Sequence, residues 1–135
     1  MQHDEFIGAV QSRAKLPSRG DAERATRATL ETLAERIPEG LADNLAAQLP
    51  PEIGEHLRRT IVLDGAGTGE RFDAREFVRR VAERSTIDEP AAAYHVRVVA
   101  EVVQEATAGG VFQKMIETLP DDLQQLLTAG STGEM

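Results

Sequence analysis

Residues 89–110 read EPAAAYHVRVVAEVVQEATAGG, and how this stretch is taken decides the fold. Val96, Val98, Val99, Val102 and Val103 argue for a buried strand, because β-branched side chains are mediocre helix formers. The competing reading comes from the sequence seventy positions earlier. There Ala22 stands against Ala92, Arg27 against Arg97, Glu31 against Glu101, Glu35 against Glu105 and Gly40 against Gly110. That earlier copy carries Ala22, Thr26, Thr29, Leu30, Leu33 and Ile37 on one helical face, and Pro38 closes it. The match transfers the helix to the valine-rich copy, which is apolar nearly all round and must be covered on several sides.

The repetition extends outward. Leu49-Pro50 falls on Leu119-Pro120, Ile53 on Leu123 and Leu57 on Leu127; with one inserted residue, Glu5-Phe6 and Val10 fall on Glu76-Phe77 and Val81. A repeat of this length signals one structural unit used twice. The predicted fold is all-α: two tandem, pseudo-symmetric helical repeats packed into one bundle-like domain. Residues 1–62 form the first repeat and 71–129 the second. Residues 63–70, with three glycines in five positions, read as a connector, and 130–135 as a frayed tail. Ser18, Asp73 with Glu76, and Asp88 or Thr86 are the expected helix caps. Neither half buries enough surface alone, so the two close on each other.

Composition narrows the function classes. The 135 residues contain no Cys or Trp, four Phe and one Tyr, so the core must be Leu, Val, Ile and Ala, and thiolate metal sites are excluded. Net charge is −8, spread as twelve acids against eight bases up to residue 70 and eleven against seven beyond it. With no basic lobe, nucleic acid is an unlikely partner. No apolar run approaches a membrane span, and the N-terminus lacks a signal-peptide pattern, so a cytoplasmic protein is expected.

Residues 22–40, Leu45-Ala46-Ala47-Gln48-Leu49-Pro50 and Glu76-Phe77-Val78-Arg79-Arg80-Val81 together resemble the prokaryotic domain-of-unknown-function family 2267. The resemblance runs from about Asp4 to Leu127. It implies a small two-repeat helical protein and supplies neither an activity nor catalytic residues.

Several constellations invite a chemical reading. The stripes Arg27, Glu31, Glu35 and Arg97, Glu101, Glu105 are spaced by four, so each lies along one helix face. They read either as a divalent-cation clamp or as a solvated salt-bridge ladder within each helix; the second asks less of the sequence, because no i, i+3 histidine supports the clamp. His95 is the one histidine inside the apolar long helix. It reads as a titrating switch or as a satisfied core histidine, and no acid lies one turn away to orient it. Arg71, Arg75, Arg79, Arg80 and Arg84 form the one basic concentration, either an anion site or a charge-mixed face pairing with the acidic stripe of another helix. The segment from Gly65 to Gly69 lacks the following Lys-Ser/Thr of a phosphate loop.

The expected function is a non-catalytic interaction or scaffold module, self-associating or binding a protein partner through surplus apolar surface on the Ala91–Val103 helix. The alternative is a small anionic ligand or divalent metal held between the repeats, lined by Arg75, Arg79, His95, Arg97 and Glu101. No cofactor is expected, and an enzyme ranks last.

Overall fold

The valine-rich stretch is helical. A computed structural model describes residues 1–64 and 70–131, with side chains to residue 59 in the first part, and among the described residues there is no strand. Eight helices follow in order: α1 (His3–Arg13), α2 (Arg19–Arg36), α3 (Glu39–Gln48), α4 (Pro51–Asp64), α5 (Ala74–Ser85), α6 (Glu89–Ala106), α7 (Val111–Glu117) and α8 (Asp121–Thr128). The predicted connector 63–70 begins later than read, because α4 continues through Asp64; residues 65–69, including the glycines, lie outside the described residues.

The caps follow local chemistry. Ser18 Oγ accepts from Asp21 N at 3.1 Å, Asp73 Oδ1 from Glu76 N at 2.9 Å and Asp88 Oδ1 from Ala91 N at 2.9 Å. Each satisfies one of the first-turn amides that have no intrahelical partner. Glu76 does not return the bond to Asp73; its carboxylate is taken by Arg79 and Arg80. Thr86 is not a cap for α6 but ends α5 in the left-handed conformation (φ 59°), as Lys15 does after α1 (φ 57°).

α2 and α6 are each 18 residues long and pack against each other at the centre. α1 lies on α2 and reaches α6, α5 lies on α6 and reaches α2, and α4 and α8 lie on α2 and α6. Phe6 and Phe77 are fully buried, and the rest of the core is Leu, Ile, Val, Ala and Met, with Phe112 at its edge. Small side chains let the helix axes approach closely. The apolar faces of α6 are covered inside the chain: Ala92, Val96, Val98, Val99, Val102 and Val103 are all at most 1% exposed. Among the described residues Met1 is the only large apolar side chain counted as exposed. No helix is long and apolar enough to cross a membrane.

Candidate functional site

The five residues expected to line one site are distributed over the molecule. Arg75 is exposed on α5. Arg79 is held by Glu76, at 2.7 Å through both oxygens, and by Glu83 at 3.0 Å. Arg97 donates to the carbonyl of Gly130, from Nε at 3.2 Å and Nη2 at 2.9 Å, and lies over the Tyr94 ring. Glu101 accepts from Arg13 at 2.7 Å and from the amide and hydroxyl of Ser131 at 2.9 and 2.6 Å. Arg97 and Glu101 are thus brought together, through Gly130 and Ser131; these two residues, assigned by sequence to the tail, are fastened to α6. Burial pushes the Glu101 carboxyl up, but Ser131 and Arg13 outweigh it and hold it below the usual range.

His95 lies elsewhere, buried at 9% exposure. It is not a satisfied histidine: its Nδ1 has no hydrogen-bond partner. Burial pushes its pKa below the usual imidazole value, against the pull of Asp21 and Asp88.

The two stripes do not form ladders within their helices. Glu35 accepts from Arg84 at 2.7 Å and Arg80 at 3.1 Å, both on α5, and Glu31 pairs with Arg59 of α4 at 3.4 Å. Glu105 pairs with Arg13 of α1 at 2.7 Å. Arg13 and Arg84 stand 71 positions apart and Glu35 and Glu105 seventy, so the same inter-helix ion pair occurs at matching positions of both halves. These carboxylates are committed to guanidinium groups. Among the described residues no group of three or more His, Asp or Glu is placed to hold a metal ion.

Of the basic concentration, Arg79, Arg80 and Arg84 on α5 are spent in the same way. Arg80 also stacks over Phe72, 3.9 Å from the ring centroid, and reaches Glu70 at 3.3 Å. A cavity of about 320 Å³ beside Arg79, Arg80 and Arg84 is lined equally by Glu35, Glu70 and Glu83. An anion entering it would have to displace carboxylates.

A larger groove of about 560 Å³ opens among α1, α2 and α4. Its apolar lining is Ile7 and Ile53; Glu23, Arg24 and Arg27 come from α2, and Glu52, Glu55 and His56 from α4. Gly20, in the first turn of α2, leaves it open: a Cβ there would have only Ser18 Oγ within 4 Å, at 3.8 Å. Arg27 makes no hydrogen bond or ion pair with any described residue, and the one carboxylate near Arg24, Asp21, is 3.9 Å away. Burial, helped by Arg59 and Arg27, pushes the pKa of His56 below the usual value, so the ring is uncharged near neutral pH.

Sequence reasoning passed over this groove. Arg27 has Glu23 and Glu31 four residues to either side, which predicts a compensated surface charge. The groove exists because Glu31 turns to Arg59 and because α4 lies on α2, neither of which periodicity reveals.

A family model described as Uncharacterized conserved protein (DUF2267) matches residues 3–126. No curated protein matches the chain.

Proposed function

For a chain that belongs to the DUF2267 family of uncharacterized conserved proteins, we propose a non-catalytic binding module whose working surface is the groove among α1, α2 and α4. Its ligand is a small peptide-like zwitterion: the carboxylate goes to Arg24 and Arg27, the ammonium to Glu52 or Glu55. The observation that carries this reading is Arg27, which has no hydrogen bond or ion pair among the described residues, standing in a groove of about 560 Å³ beside Arg24, whose ion pair to Asp21 is long at 3.9 Å. A guanidinium fork is suited to carboxylate. The volume is in the range of small-molecule sites, roughly 300–1,000 Å³.

A peptide is preferred over a phosphate for two reasons. The groove carries three glutamates, which oppose a purely anionic ligand. Arg97, seventy positions after Arg27, takes a main-chain carbonyl oxygen, that of Gly130. Self-association has lost its motive, since the apolar surface of α6 is used within the chain. Ser85 and His95 line one cavity, yet no hydrogen bond joins them, so among the described residues this pair is not an activated nucleophile.

Thermal shift with trialanine, its acetylated and amidated forms, and inorganic phosphate tests the proposal. Trialanine with both termini free raises the melting temperature, either blocked form raises it less, and Arg27→Ala abolishes the rise. No shift with the free peptide, or an equal shift in Arg27→Ala, rejects the groove. A partner protein's chain end in the same groove is the second reading, favoured by the Arg97–Gly130 contact; it predicts that the amidated form alone loses the effect.

A further inference from the structure

Arg71 and Arg75, the members of the basic concentration not spent on carboxylates, make no hydrogen bond or ion pair with any described residue. Arg71 stands beside a buried cation. The chain at residues 70–72 runs past the end of α2: Glu70 N donates to the carbonyl of Glu35 at 2.9 Å, and Phe72 O accepts from Nε of Arg36 at 2.8 Å. Arg36, in the last turn of α2, is 9% exposed. None of these residues lines the groove among α1, α2 and α4, so the two sites stand or fall separately.

A charged side chain buried to that degree is ordinarily paired. Arg36 forms no ion pair with any described residue. Part of its charge is met by the carbonyl end of α2 and by the face of Phe72, whose ring centroid is 5.9 Å from Cζ. The η nitrogens have no acceptor among the described residues, and neither is sealed from solvent. Asp122 favours the charge, but its oxygens are taken by Ala74 N and Leu123 N, each at 2.8 Å. Burial pushes the Arg36 pKa below the usual guanidinium value, and the charge of Arg71 pushes the same way. An oxyanion shared by the two guanidinium groups relieves both costs.

We propose that Arg36 and Arg71 bind a phosphate group, free or carried on a larger molecule, where the segment leading into α5 crosses the end of α2. Its oxygens accept from the η nitrogens of Arg36 and from Arg71. A carboxylate is satisfied by the fork of one guanidinium; a phosphate has further oxygens for the second, and a charge that answers both. Arg71 is exposed, so the site is open on that side and admits a phosphate ester as well as free phosphate.

Inorganic phosphate, glycerol 3-phosphate, acetate and chloride are titrated into the full isotope-labelled chain at constant ionic strength. NMR follows the Nε–H signal of Arg36 and the amides of Arg71 and Phe72. Inorganic phosphate or glycerol 3-phosphate moves these signals saturably, and whichever binds tighter identifies the source. Arg71→Gln, at an exposed position that leaves the Arg36–Phe72 bond in place, weakens phosphate about tenfold, as loss of one charge-assisted hydrogen bond requires. A folded Arg36→Lys protein keeps the charge, loses the fork and is weakened likewise. Arg79→Gln removes a guanidinium committed to Glu76 and Glu83 and changes nothing. Movement that does not saturate, an equal response to acetate or chloride, or unaltered binding in Arg71→Gln overturns the proposal. So does equal weakening by Arg79→Gln, which would mark a general effect of surface charge.

Discussion

Thr26, Thr29 and Thr32 stand on the buried side of α2, at 0%, 2% and 0% exposure, and only one of them is satisfied. Thr32 donates to the carbonyl of Ala28 at 2.8 Å and accepts from Arg84 at 2.7 Å. The hydroxyls of Thr26 and Thr29 have no partner. Replacing an unsatisfied buried hydroxyl with a methyl of the same shape removes a desolvation cost, whereas removing a bonded one strands its partner. Thr29→Val is therefore expected to raise stability by about 1 kcal/mol, and Thr32→Val to lower it by about 1–3 kcal/mol. Urea unfolding of the two variants checks the contrast; equal effects of either sign contradict it. Residue type alone does not separate the two, and the sequence reading placed only Thr29 on the apolar face of the helix. Their difference lies in Arg84, fifty-two positions away in the chain.

At the scale of the element, α3 and α4 approach each other closely at Gly54. A Cβ on Gly54 would stand 2.6 Å from the carbonyl oxygen of Ala46, which is backbone and cannot swing aside. Gly54→Ala should cost about 1–3 kcal/mol through forced separation of the two helices, although Ala is the better helix former. Gly40→Ala, with nothing within 4 Å of the added atom, is the control expected to be near neutral. Equilibrium denaturation separates them. Much of this level was legible: Ser18, Asp73 and Asp88 cap the helices predicted for them, and the valine-rich stretch is a helix because its burial on several faces overrides weak propensity. The glutamate stripes were placed on the correct helices but given the wrong partners. Spacing of four reports what one helix can do with itself; Arg13, Arg80 and Arg84 come from helices whose position only packing decides. The expected site at Arg75, Arg79, His95, Arg97 and Glu101 dispersed for the same reason, and Arg27, read as part of a stripe with Glu31 and Glu35, lines a groove with residues of α1 and α4 instead.

For the molecule as a whole, α1 lies on α2 and reaches α6, α5 lies on α6 and reaches α2, and the ion pairs Arg13–Glu105 and Arg84–Glu35 tie these helices together. Its pH response should come in two stages. His56 and His95 are both pushed below the ordinary 6.5, chiefly by burial. A depressed group stabilises the fold above its unfolded pKa and loses that contribution as pH falls toward the folded value. Stability should thus begin to fall below pH 6.5. Glu35 and Glu101 follow the same sign from a lower start. Burial raises each, but Arg84 and Arg80 for Glu35, and Ser131 and Arg13 for Glu101, hold both below 4.5, so a second decline begins there. The double variant His56→Gln, His95→Gln should flatten the first stage and leave the second; urea midpoints across the pH range decide, and an unchanged first stage contradicts the assignment.

The groove is where the account is most exposed. Titrating isotope-labelled protein with trialanine and following the backbone amides by NMR locates any binding directly. Saturable shifts centred on Gly20, Arg24, Arg27 and Glu55, absent in a folded Arg27→Ala variant, are the predicted result. No shifts, shifts centred away from α1, α2 and α4, or the same titration in Arg27→Ala would contradict it.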